Sequence, residues 1–154
     1  MIVKWLMAIG VLIVAVSAEA EEALLEVKHG EVIEFLSRAD LSAMPTTEFT
    51  TSTLWTKGEV RFTGVLLKDF VDAFDLTGKP LKATAINDYA VDIPAEDAVD
   101  DGPIIAYLMN DQTMSPRDKG PFWIVYPYDS NVEYQSETYY SRSIWQLNRI
   151  SVAE

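Results

Sequence analysis

Glu59-Val60-Arg61-Phe62-Thr63-Gly64-Val65-Leu66-Leu67-Lys68-Asp69-Phe70-Val71-Asp72-Ala73-Phe74-Asp75-Leu76-Thr77-Gly78 changes period partway along, and that change decides the fold class. Glu59 to Phe62 reads as a strand entered from a Lys57-Gly58 turn. Leu66, Leu67, Phe70, Val71 and Phe74 then recur at helical spacing, with Lys68, Asp69, Asp72 and Asp75 on the other face, so a helix is expected to run until Thr77-Gly78 ends it. Upstream, Leu24 to Val27 and Val32 to Phe35 are short strands around a His29-Gly30 turn. Ser37-Arg38-Ala39-Asp40 resembles a capping box before Leu41, and Pro45 leaves room for only a turn or so of helix. Thr46 to Thr53 is β-branched and favours a strand.

Downstream, Leu81 to Ile86, Ala90 to Ile93, Ile104 to Met109, Phe122 to Tyr126 and Gln146 to Val152 read as strands, separated by Asn87-Asp88, Pro94, Asp101-Gly102-Pro103 and Asn110-Asp111. Ala95 to Val99 suits a short helix after Pro94. Strands outnumber helices and do not alternate regularly with them. The expected fold is α+β, mainly β, with mixed sheets or a partial barrel and a few short helices.

The amino terminus bears on where the chain works. Met1 to Lys4 is a short basic start, Trp5 to Val16 is almost wholly apolar, and Ser17-Ala18-Glu19-Ala20 puts alanines where a signal peptidase reads. Residues 1–20 are therefore expected to be a secretory signal peptide cleaved after Ala20, leaving a periplasmic or secreted protein with no stable membrane insertion. The apolar run falls short of the roughly 20 residues that span a bilayer. Residues 21–154 have the size of one domain and show no repeat or linker.

Composition narrows the chemistry further. The chain has no Cys, which excludes disulfides, zinc-thiolate sites, iron-sulfur clusters and a cysteine nucleophile. Its 24 acids against 12 Lys and Arg give a net charge of -12, which sets nucleic acid aside as a partner because phosphate binding depends on clustered cations. A Ser-His-acid triad needs an imidazole, and the single one, His29, lies in a Lys28-His29-Gly30 turn with no nucleophile elbow near it. Asp92, Glu96, Asp97, Asp100 and Asp101 do not follow a calcium-loop spacing and read as a solvated acidic face. Ser115 to Pro121 constrains Arg117, Asp118 and Lys119 between two prolines and a glycine, either as a ligand-contacting loop or as a rigid turn with an internal Arg117-Asp118 pair. Trp145 reads as core, and the tyrosines from Tyr128 to Tyr140 as a binding surface.

Five segments in order resemble the oxidoreductase molybdopterin-binding domain of the sulfite oxidase type. They are Phe62 to Leu67, Ala85 to Pro94, Ala106 to Asn110, Ser115 to Pro121 and Ile144 to Leu147. The resemblance implies a mainly β fold in which a molybdenum-pterin cofactor lies among loops and one cysteine thiolate holds the metal. The corresponding place here is Thr50, Thr51 or Ser52. A neutral hydroxyl is a poor replacement for a soft anionic ligand. Trp123 and Ile144 stand where the family often carries Arg and Lys, basic groups that would help to neutralise a cofactor phosphate. The leader also lacks the paired arginines of the route for folded, cofactor-loaded proteins.

The expected function is accordingly an exported, non-redox ligand- or partner-binding accessory module, with no cofactor. Thr50, Thr51, Ser52, Asn87, Asp88, Arg117, Lys119 and Trp123 are the expected lining of its cavity. The partner would be a small molecule or an extracytoplasmic protein such as a sensor domain. The competing reading is a molybdopterin-dependent oxidoreductase with an oxygen ligand from Thr or Ser, and a third is a structural adhesion domain.

Overall fold

The computed structural model describes residues 24–154, so the expected signal peptide lies outside the described residues. The chain opens with the hairpin β1 (Leu24–His29) and β2 (Val32–Ser37), and Gly30 takes φ 63 in the turn, a left-handed conformation that glycine adopts without strain. The expected capping box is present. Ser37 Oγ accepts from the Asp40 amide at 3.1 Å and the Asp40 carboxylate accepts from the Ser37 amide at 2.7 Å, starting α1 (Arg38–Ala43).

β3 (Thr46–Ser52) pairs antiparallel with β4 (Glu59–Leu66), which passes without a loop into α2 (Leu67–Ala73). The strand is longer and the helix shorter than the sequence pattern suggests. Leu67 N–H donates to the Pro103 carbonyl at 2.8 Å, which fixes the start of the helix. Leu76 N–H donates to the Val71 carbonyl at 2.8 Å while Asp75 takes φ 55, closing the helix before Thr77-Gly78. At Gly64 a Cβ would stand 2.1 Å from the Ile105 carbonyl oxygen. Only glycine fits there, at the register shift where β4 meets its neighbour β7 (Ile104–Met109).

The other strands are β5 (Leu81–Ala85), β6 (Ala90–Ile93), β8 (Gln112–Thr113), β9 (Trp123–Val125) and β10 (Leu147–Val152). They form two sheets. The first has the order β2-β1-β10-β5-β6, with β1 and β10 parallel and the other pairs antiparallel. The second has the order β3-β4-β7-β8, with β9 also on β7. A single hydrophobic core draws on both, from Leu25, Val27 and Ile150 in the first to Phe62, Val65, Ile105 and Trp123 in the second. The fold is thus mainly β in mixed sheets with a few short helices, as the strand spacing implies. Ala95–Asp97 forms a short 3-10 turn within the expected helical stretch, whereas α3 (Glu137–Arg142) is an element that the sequence reading did not anticipate. Among the described residues no helix is long and apolar enough to cross a membrane.

Candidate functional site

The loop between β3 and β4 carries Trp55 into the centre of an aromatic cluster. Thr53 Oγ1 accepts from the amides of Trp55 at 3.1 Å and Thr56 at 3.0 Å, a local turn that aims the indole inward. Trp55 meets Trp145, Tyr140, Trp123 and Tyr128 edge-on, at ring-centroid distances of 5.3, 5.8, 5.9 and 6.3 Å. Edge-to-face contact is the favoured geometry for aromatic pairs. Trp123, on β9, is fully buried and donates its indole N–H to the Ser143 carbonyl at 3.2 Å. Lys119 Nζ lies 4.7 Å from the Trp145 ring centre and 5.5 Å from that of Trp123, so a cation caps the cluster.

Lys119 is held there by the backbone around it. Gln146 N–H donates to the Lys119 carbonyl at 2.9 Å and the Gln146 side chain donates to the Pro116 carbonyl at 2.7 Å. Gly120 N–H closes the loop onto Ser115 at 2.9 Å, and a Cβ on Gly120 would sit 1.9 Å from the Met114 carbonyl oxygen. The Ser115 to Pro121 segment is therefore a rigid platform. The pair inside it is Lys119 with Asp118, at 4.0 Å, and Arg117 is exposed.

Beside the cluster a cleft of about 220 Å³ stays open, lined by Trp55, Asn87, Tyr89, Tyr140, Trp145 and Gln146 among others, with no charged side chain in its wall among the described residues. A smaller hollow of about 170 Å³ lies on another side of Tyr140, bordered by Ser52, Thr53, Tyr128 and Asp129. Trp145, read from the sequence as core, is partly buried against the core and also forms part of the cleft wall. Tyr128, read as surface, is 2% exposed and donates to Ser143 Oγ at 2.5 Å. Burial pushes its phenol up to about 12.

A second polar network underlies the tyrosines. Asp97 accepts from Tyr126 at 2.7 Å and from Arg142 at 2.9 and 3.0 Å, and Arg142 lies over the Tyr139 ring at 5.2 Å. Burial, and then the Asp97 charge, hold the Tyr126 phenol far above its ordinary range. Asp97 is 8% exposed, so the expectation of a wholly solvated acidic face fails at this residue. Its neighbours Asp92, Glu96, Asp100 and Asp101 are exposed.

Thr50, Thr51 and Ser52 end β3 in three different surroundings. Thr50 is exposed, opposite Arg61 on β4. Thr51 is 1% exposed, and its hydroxyl accepts from the Asp129 amide at 3.1 Å and donates to the Ser52 carbonyl at 3.1 Å. Ser52 N–H donates to the Asp129 carboxylate at 2.7 Å. Both hydrogen-bonding roles of the Thr51 hydroxyl are taken up by backbone, and a carboxylate stands next to it. A neutral hydroxyl committed in this way is a much weaker metal donor than an anionic thiolate, and the Asp129 carboxylate beside it opposes an anionic pterin phosphate, so this donor set fits the family's cofactor poorly.

The eight expected site residues are not gathered in one place. Asn87 lines the cleft, Ser52 lines the smaller hollow, and Trp123 and Lys119 form the inner wall and cap of the aromatic cluster. Asp88 is exposed and pairs with Arg149. Trp55 and Gln146 are cleft residues that sequence reasoning missed, whereas Tyr140 belongs to the tyrosine group read as a binding surface. For Trp55 the available signal was an isolated aromatic in a Thr-rich loop.

Two packed sheets with a cluster of loops at the end of β3 and around β9 define a sulfite-oxidase-like fold. The family model for the oxidoreductase molybdopterin binding domain matches residues 4–133, and the chain belongs to that family. Among solved structures it is similar to the sulfane dehydrogenase SoxCD from Paracoccus pantotrophus, with a TM-score of 0.63 and 17% identity, over 84% of this chain and 38% of that one. The chain thus spans well under half the length of that relative. Among curated proteins none matches the sequence.

Proposed function

We propose that this chain is an exported binding module that uses the molybdopterin-domain scaffold without its redox centre. The observation that carries the reading is the pairing of a sulfur-free β3 end, with the Thr51 hydroxyl committed to backbone, with a neutral aromatic cleft beside it. A site for a large anionic cofactor needs cations and space. Here Trp123 fills the interior and the open volume is about 220 Å³, below the roughly 300–1,000 Å³ of ordinary ligand pockets.

That size and lining favour a single flat ring, carried by a small molecule or by a side chain inserted from an extracytoplasmic protein such as a sensor domain. Trp55, Tyr140 and Trp145 would supply the faces, and Asn87 and Gln146 the orienting hydrogen bonds. Lys119 over Trp145 supports the wall and keeps its orientation.

The experiment is element analysis of protein recovered from the periplasm, together with tryptophan fluorescence during ligand titration. Molybdenum well below one atom per chain, with emission changes that Trp145→Ala removes, is the expected result. Stoichiometric molybdenum would establish the competing reading, an oxidoreductase with an oxygen ligand. Amino-terminal sequencing of the same material tests export, with Glu21 as the expected first residue.

A further inference from the structure

Among the described residues, Tyr140 is the one side chain that borders both the aromatic cleft and the smaller hollow. Its ring stands at 87° to Trp55, which lines the cleft, and packs at 5.6 Å from Tyr128, which lines the hollow. The helix that carries it, α3, buries no residue, and Tyr140 itself is only partly buried. Two hollows that share such a wall can hold two parts of one molecule. Volumes of about 220 and 170 Å³ together reach the roughly 300–1,000 Å³ of ordinary ligand pockets, which neither reaches alone.

The two halves differ in chemistry. The cleft is neutral, whereas the hollow contains one charged side chain, Asp129. Asp129 is fixed at two points, because its N–H donates to Thr51 Oγ1 at 3.1 Å and its Oδ2 accepts from the Ser52 N–H at 2.7 Å. Among the described residues Oδ1 accepts no hydrogen bond and Asp129 joins no ion pair. Gln135 adds a second acceptor: its amide nitrogen donates to the Tyr128 carbonyl at 3.0 Å, which leaves its side-chain oxygen for a donor. Acceptors beside the Tyr128 and Tyr140 rings suit an ammonium group, which brings three donors and is drawn to aromatic faces. At the other end Lys119 caps Trp145 in the cleft wall. This polarity turns the positive end of a ligand away from Lys119 and towards Asp129, and the net charge of -12 favours cations over anions.

We propose that cleft and hollow form one site for an aromatic ring that carries an ammonium group a few carbons away. The ring lies against Trp55 and Trp145, and the ammonium reaches Asp129 across the edge of Tyr140. This rests on the reading of the cleft as a ring-binding site and adds the chemical class of the ligand. Two sources carry that chemistry: a free aryl-alkylamine, and an aromatic side chain beside a lysine of another protein.

The test follows tryptophan emission while protein recovered from the periplasm is titrated with phenylpropylamine and with phenylpropanol, its uncharged counterpart. The amine is expected to bind about fivefold more tightly, as one contact with an exposed carboxylate allows, and to lose that advantage at high salt. Benzylamine, too short to cross Tyr140, should bind no better than benzyl alcohol. In Asp129→Asn, which keeps an oxygen for the Ser52 N–H and removes the charge, the two phenylpropyl probes should bind equally, the alcohol as in the unsubstituted protein. A matched urea transition confirms that the variant folds, and the probe comparisons on the unsubstituted protein need no variant. The proposal is overturned by equal affinity for phenylpropylamine and phenylpropanol, by the same advantage in benzylamine, which would mark the general field, or by an advantage that survives Asp129→Asn. Tighter binding of phenylpropionate would move the charged contact to Lys119 and overturn it too. Saturable binding of the alcohol in any of these cases leaves the ring-binding cleft standing. No saturable change with any probe overturns the cleft reading as well. A capped Phe-Lys dipeptide that binds more tightly than phenylpropylamine assigns the site to a protein partner, and one that binds more weakly assigns it to a free amine; both uphold the ring-and-ammonium chemistry.

Discussion

The aromatic cluster around Trp55 and the lysine groove on the first sheet are both hollows in the same fold, and they are built on opposite principles. In the cluster the polar groups find partners within the protein: Trp123 on Ser143, Tyr128 on Ser143, Tyr126 and Arg142 on Asp97, Lys119 over two indoles. In the groove Lys28, Lys79 and Lys82 stand with Glu154 at an open surface and join no ion pair among the described residues, and on the same sheet Ile33 and Phe35 are exposed. The cluster spends its interactions on holding a shape, so a ligand there meets a neutral, preformed wall. The groove leaves its charges in water, so its side chains contribute little to holding the fold.

That contrast predicts where substitutions cost stability. Trp123→Ala removes the largest fully buried side chain of the cluster and should cost about 3–5 kcal/mol in urea denaturation. A loss under about 1 kcal/mol would mean that the cluster is loosely packed and the contrast false. Asp97→Ala comes next. It strands the Tyr126 hydroxyl and leaves the partly buried Arg142 without its carboxylate, at about 2–4 kcal/mol, somewhat below a fully buried pair because Arg142 retains some water.

Alkaline pH probes the same region without mutation. Burial raises the Tyr128 phenol to about 12 from an ordinary 10.0, and Tyr126 is raised as well. A phenol held protonated in the folded state contributes stability that is complete below the unfolded value and is lost as pH rises through the folded one. Stability should therefore be level below pH 10 as far as these groups are concerned, and fall by about 2–3 kcal/mol toward pH 12 from Tyr128 alone. Urea midpoints across this range, with tyrosinate absorbance followed in parallel, check the sign. Ionisation of Tyr128 near pH 10 without unfolding would show a wetter cluster.

How much of this was legible in the sequence follows from which interactions are local. The capping box at Ser37 and Asp40 and the strands Ala90–Ile93 and Ile104–Met109 were readable because periodicity and capping are short-range signals. The helix end after Ala73 was misread, because it depends on Asp75 entering the left-handed region rather than on Gly78. Asp97 sits in a run of acids, and only its distance to Arg142, 45 positions away in sequence, sets it apart. The cleft was partly legible through Asn87 and through Tyr140. Trp55, Tyr140 and Gln146 come from three separate loops and helices whose meeting no local pattern encodes. The lysine groove was hidden for a related reason: Lys28 and Lys82 become neighbours only through the β1–β10 and β10–β5 pairings.

The smallest expected effect tests the other half of the contrast. Phe35→Thr replaces a large aromatic with a β-branched residue that suits a strand, at a position already 58% exposed. Removing an apolar side chain that is mostly in water forfeits little burial, so the change in unfolding free energy should stay within about 0.5–1 kcal/mol. The stability cost should thus be several-fold smaller at Phe35 than at Trp123. A Phe35 variant that unfolds as readily as a Trp123 variant would make the outer face of the first sheet a part of the core and the contrast false.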